Sequence, residues 1–144
     1  MILVTGATGT IGSHLVTSLL SQGAHIRVLV RDPDKARAAF GERVDLVSGD
    51  LQDASSVSVA LKGVDSVFLN SPSLEGFVEM QRTLIDAAAA TGIGHLVRLS
   101  VAGAAPDSTT SSLGTDQGQP HRLVAGADRR RGLHLSRCRS CADR

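Results

Sequence analysis

The chain has 144 residues, enough for one domain, and 42% of them are apolar, enough for a core; three Phe stand alongside no Trp and no Tyr. A net charge of +1 gives no ground for a nucleic-acid or membrane partner. The chain opens directly on an apolar run, with no stretch for a secretory leader, so a cytoplasmic protein is expected.

Residues 2–12 read ILVTGATGTIG. Ile2, Leu3, Val4 and Thr5 predict a short buried strand, and Leu15, Val16, Leu19 and Leu20 mark the apolar stripe of a helix over 11–22. Between them lie Gly6, Gly9 and Gly12. Strand, glycine turn and helix in this order form a device that holds a dinucleotide pyrophosphate. Gly6 permits the tight turn, Gly9 lets the backbone approach the phosphates, and Gly12 lets the helix sit against the strand. Free N–H groups at the helix start, with the helix dipole behind them, favour negative charge there. Gly6, Ala7, Thr8, Gly9, Thr10, Ile11 and Gly12 are therefore the candidate phosphate-holding residues, the alternative being that the glycines only shape a loop in another kind of α/β protein.

A second strand is expected at 25–30, ending about 20 residues after the last glycine, where a ribose-reading residue belongs. Arg31 stands there in place of an acidic residue. A guanidinium would pair with the 2′-phosphate of NADP, whereas a carboxylate would repel it. Two other roles are open to Arg31, a solvated side chain or a partner for Asp32 or Asp34. Further helices are predicted at 34–40, 54–62 and 74–91, and further strands at 44–48, 65–69 and 95–100. Pro33 after Asp32 suits one helix start and Asp53 caps the next. Gly23, Gly41, Gly63 and Gly92 follow the four helices. The longest apolar helical stretch, around 84–91, carries Asp86 and is too short to span a bilayer. Such alternation predicts an α/β fold: a doubly wound, Rossmann-type parallel sheet of order 3-2-1-4-5, with ligand at the carboxyl ends near the switch point between strands 1 and 4.

The composition changes near residue 114. Residues 1–114 carry a formal −3, and residues 115–144 carry +4 with seven Arg, no Lys and both cysteines. Residues 104–119 read as a Ser/Thr/Gly-rich loop, and 120–144 show no sustained period and no sixth strand. The expected organisation is thus a nucleotide-binding domain over 1–114 and an Arg-rich tail without order over 115–144, its sequence that of a shifted reading frame or a truncated gene. Cys138 and Cys141 form a CxxC with His134 and His121 upstream, but a zinc site would bring a second cysteine pair or closer histidines. No metal site is expected. The run Arg129–Arg131 reads as solvated charge, and His14 and His95 as surface or packing residues.

The motif TGATGTIG resembles that of the atypical and extended short-chain dehydrogenase/reductases, above all the NmrA-like NAD(P)H-binding group. VLVRDPDKA at 28–36, SGDLQD at 48–53, LNSP at 69–72 and VRLSVAGA at 97–104 carry the same likeness in family order over 1–114. The resemblance implies an NAD(P)H-dependent oxidoreductase, with a quinone-type small-molecule acceptor as one candidate, or a non-catalytic NAD(P)-sensing regulator. NADP(H) is expected over NAD(H). It implies that Asp50 and Leu51 contact the adenine, that Asn70, Ser71 and Pro72 line the adenosine and ribose side, and that Ser100 faces the nicotinamide as the candidate catalytic hydroxyl. Turn capping by Asp50, a plain turn at 70–72 and a strand-end cap at Ser100 compete with these roles. The Tyr-x-x-x-Lys pair of many short-chain dehydrogenases is excluded within this chain, which has no Tyr and only Lys35 and Lys62.

Overall fold

Successive residues of a strand face opposite sides of a sheet, and the first strand, β1 (Ile2–Thr5), shows the consequence. Leu3 belongs to one buried cluster and its neighbour Val4 to another. The computed structural model describes residues 1–71, 76–100 and 134–139. After β1 come α1 (Thr10–Ser21), β2 (Ile26–Val30), α2 (Pro33–Phe40), a 3-10 turn over Gly41–Arg43, β3 (Asp45–Ser48) and α3 (Ala54–Ala60). β4 (Ser66–Leu69), α4 (Phe77–Thr91), β5 (His95–Ser100) and β6 (His134–Arg139) follow. The strands form one parallel sheet of order β3-β2-β1-β4-β5-β6.

Helices cover the sheet from two sides. Val16 of α1 and Ala36 and Phe40 of α2 pack with Val4, Val28 and Val30 on one face. Val57 and Ala60 of α3 and Leu84, Ile85 and Ala88 of α4 pack with Leu3, Leu29, Val67, Leu69 and Leu96 on the other. Strands buried on both faces need apolar residues at consecutive positions, which is why they read as continuous runs rather than alternating ones. The helix starts follow local chemistry. Asp32 accepts a hydrogen bond from the Lys35 N–H and Pro33 fills the first turn of α2. The Asp53 carboxylate accepts from the N–H groups of Ser55 and Ser56 at the start of α3. Arg27 of β2 ties the amino ends together, donating to Asp45 of β3 at 2.7 Å and to the Ala60 carbonyl of α3 at 3.1 Å.

The expected order 3-2-1-4-5 is observed, and the structure adds a sixth strand that the sequence pattern does not disclose. β6 runs parallel to β5, from His134 opposite His95 to Arg139 opposite Ser100, so this part of the Arg-rich segment pairs along the edge of β5. HLSRCR lacks the apolar run of the inner strands because an edge strand pairs by its backbone on one side and accommodates charge. α4 begins at Phe77 rather than 74, and α3 ends at Ala60 rather than 62. Pro72, the loop at 104–119, His121, Arg129–Arg131 and Cys141 lie outside the described residues. Among the described residues no helix is long and apolar enough to cross a membrane.

Candidate functional site

The carboxyl ends of β1, β2, β3 and β4 converge on a cleft with a cavity volume of about 160 Å³, comparable to an engineered protein cavity known to take a single aromatic ring. Its floor is the turn leaving β1. Gly6 has φ of 62°, and a Cβ there would lie 2.7 Å from the Asn70 carbonyl oxygen, so β1 and the turn after β4 touch backbone to backbone. The N–H of Gly9 donates to the Gly6 carbonyl at 3.1 Å, which closes the turn. A Cβ on Gly12 would lie 2.1 Å from that same carbonyl oxygen; only glycine lets α1 start this close to β1. α1 starts with Gly9 as its cap, without a side chain bonded to its first N–H groups and without an acidic residue in its first turn. The positive end of its dipole is left for an anion.

Thr5 locks this arrangement. It is fully buried; its Oγ1 donates to the Asn70 carbonyl at 2.7 Å and accepts from the Asn70 N–H at 2.9 Å. One side chain therefore satisfies both backbone groups of Asn70 and fixes the separation of the two strand ends at the switch point.

Of the residues expected from the sequence, Gly6, Ala7, Thr8, Arg31, Asp50, Leu51 and Asn70 line the cleft together. Gly9, Thr10, Ile11 and Gly12 continue the turn into α1, where Ile11 is 47% exposed. Arg31 follows β2, is exposed, and has no hydrogen-bond or ion-pair partner among the described residues. Asp32, a candidate partner for it, instead caps α2. Asp50 also serves its turn, accepting from the Gln52 N–H at 3.0 Å, so its lining position and its capping role coexist. Ser71 is half-buried beside Asn70 and outside the cleft lining, bonded to Gln81 of α4. Ser100 is the last residue of β5, at the same end of the sheet.

Leu29, Val30, Gly49, Gln52 and Met80 complete the lining and were not singled out from the sequence. Gly49 sits inside the SGDLQD stretch; a Cβ there would fall 2.5 Å from that of Ser56, so β3 leaves the sheet tight against α3. Met80 precedes the apolar stripe of Leu84, Ile85 and Ala88 by one turn, and helical spacing is the signal that points it inward. Asp53 next to the cleft has its carboxyl lowered from 3.8 to about 2, chiefly by the Ser56 hydroxyl, then by the hydroxyl and N–H of Ser55.

Known proteins share this arrangement. The sequence pattern of the NmrA-like family matches residues 1–115. The chain is 44% identical over 108 residues to an NAD(P)H azoreductase of Xenophilus azovorans, covering 75% of this chain and 38% of that protein. It is 30% identical over 128 residues to quinone oxidoreductase 2 of Escherichia coli, covering 87% of this chain and 44% of that protein. An Escherichia coli NADPH-dependent quinone oxidoreductase complexed with NADPH superposes with a TM-score of 0.84 at 26% identity, over 97% of this chain and 48% of that one. The chain thus spans less than half the length of these relatives. With the glycine turn, the strand order and the matched residues in agreement, the chain belongs to the NmrA-like family.

Proposed function

We propose that this chain is the dinucleotide-binding part of an NADPH-dependent oxidoreductase that passes hydride to a small-molecule acceptor of the quinone or azo type. One observation carries the cofactor reading: a cleft at the switch point whose floor is a glycine turn packed backbone to backbone, Gly6 against Asn70 and Gly12 against Gly6, at the uncapped start of α1. The fit to a dinucleotide is good on its own chemistry. The uncapped start of α1 suits the pyrophosphate, the apolar walls of Leu29, Leu51 and Met80 suit a flat ring, and Arg31 suits a 2′-phosphate. The acceptor class rests on the names of the azoreductase and quinone oxidoreductase relatives.

The reduced nicotinamide supplies the hydride when bound. This chain's residues bind and orient: Gly6 to Gly12 hold the phosphates, Arg31 selects the 2′-phosphate, and Asp50, Leu51 and Asn70 fix the adenosine and ribose. Ser100, closing β5, is the candidate hydroxyl on the nicotinamide side. The lack of any Tyr keeps a second reading in play, a sensor that binds NADP(H) without turnover. Cofactor oxidation over a panel of quinones and azo dyes separates the two. Turnover supports the reductase; tight binding without turnover supports the sensor.

Thermal unfolding with NADP and with NAD, each at about 100 times its dissociation constant, tests the cofactor itself; such a ligand adds about 2.7 kcal/mol of stability. At equal concentrations the larger shift is expected with NADP, and Arg31→Asp is expected to reverse the order. Equal shifts at equal concentrations in the parent chain would remove Arg31 from the selection of cofactor.

A further inference from the structure

Two polar side chains are buried where the fold needs none. Gln81 of α4 is 1% exposed and Arg98 of β5 is 4% exposed, on the sheet face otherwise filled by Leu84, Ile85 and Leu96. They form a chain that ends at the switch point. An Nη of Arg98 donates to Gln81 Oε1 at 3.0 Å, and Gln81 Nε2 donates to Ser71 Oγ at 3.0 Å.

The direction of this chain is fixed by chemistry. A guanidinium has donors and no acceptor, so the oxygen of the Gln81 amide must face Arg98 and its nitrogen must face Ser71. Ser71 Oγ is then an acceptor toward the interior. Its own O–H is left to donate, and among the described residues nothing receives it. Ser71 follows Asn70, whose backbone Thr5 already holds, so its hydroxyl is fixed in place as well as in polarity.

We infer that Arg98 and Gln81 are positioning residues that set the Ser71 hydroxyl as a hydrogen-bond donor to an oxygen of the bound dinucleotide, beyond its adenosine half. The inference rests on the dinucleotide reading above. The site served lies past the adenosine half because Ser71 is outside the cleft lined by Arg31, Asp50 and Leu51 and is tied through Gln81 to Arg98 of β5, the next strand beyond β4. Burying an arginine and an amide is costly unless they are bonded, so a bonded relay that ends in one outward donor has a use that an apolar pair would lack.

Gln81→Glu tests this without changing shape. A carboxylate still accepts from Arg98, but it cannot donate to Ser71, which must then turn its proton inward. The full 144-residue chain is titrated with NADPH and, separately, with 2′,5′-ADP, and melted without ligand. Ser71→Ala and Gln81→Glu are each expected to weaken NADPH about tenfold, the scale of one lost hydrogen bond. The double variant is expected to be no weaker than either, 2′,5′-ADP to be unaffected, Ser71→Thr to bind as the parent does, and the melting temperature of Gln81→Glu not to fall. Parent-like NADPH binding by Gln81→Glu or by Ser71→Ala would overturn the inference, as would an equal loss of 2′,5′-ADP. Should Gln81→Glu fail to melt cooperatively, Gln81→Met takes its place; severalfold weaker NADPH is expected, and unchanged affinity would overturn the relay. Failure of the parent chain to bind NADPH at all would instead count against the dinucleotide reading.

Discussion

A methyl group on Gly12 would stand 2.1 Å from the carbonyl oxygen of Gly6 and 2.8 Å from the Cα of Ala7, both backbone atoms that cannot swing aside. On Gly9 it would stand 3.3 Å from that same oxygen, a contact relieved by a few tenths of an ångström. The two glycines of one motif should therefore respond differently. Gly12→Ala forces α1 away from β1 and is expected to cost about 1–3 kcal/mol, the range for overpacking a tight contact. NADPH binding should be lost with it. Gly9→Ala is expected to keep most of the stability and to weaken binding only through its nearness to the phosphates. Denaturant unfolding and NADPH titration of both variants check this, and equal losses would mean that the spacing alone, not the approach of helix to strand, explains the motif. The place of Gly12 was legible in the sequence because a glycine at this spacing lets a helix pack closely on the preceding strand. Gln81 and Arg98 were not, because a polar residue on an apolar stripe shows only that something is unusual, and its partner comes from a strand 17 positions away.

At the scale of elements, the four helices and the first five strands could be read because each is written locally, in caps, glycines and apolar runs; the start of α4 and the end of α3 differ most, by three and two residues. β6 could not be read, since it is defined by pairing with β5 and carries two Arg and one His among its six residues. The cap of α3 allows a pH prediction. The Asp53 carboxyl is lowered to about 2 in the folded chain, against an ordinary 3.8, because its ionised form accepts bonds from Ser55 and Ser56. A lowered carboxyl binds fewer protons folded than unfolded, so its contribution to stability is complete above about pH 4 and is lost as the pH falls through about 2. Asp53→Asn keeps a competent cap whose oxygen does not ionise. The difference in melting temperature between the parent and Asp53→Asn should be constant above about pH 4 and shrink as the pH falls from about 4 to about 2; a difference independent of pH would mean that the carboxylate charge contributes nothing to the cap.

For the whole molecule, the arrangement of the core predicts a single cooperative unit. Leu3 and Val4 are adjacent in β1, yet one packs under α3 and α4 and the other under α1 and α2, so neither half can melt without exposing the strand that anchors the other. Leu84, fully buried on one face, and Phe40, 2% exposed on the other, provide the test. Leu84→Ala is expected to cost about 2–5 kcal/mol and Phe40→Ala about 3–5 kcal/mol. Each should shift one common transition, followed by far-ultraviolet circular dichroism in denaturant, rather than split it in two. Their effects should add within about 0.5 kcal/mol, because the side chains lie on opposite sides of the sheet and share no partner. The cleft sits over the ends of β1 and β4, where the two faces meet, so saturating NADPH should raise both variants by the same increment as the parent. A biphasic transition in either variant, or an increment preserved in one and lost in the other, would show instead that the two faces are independent and that the nucleotide reports on only one of them.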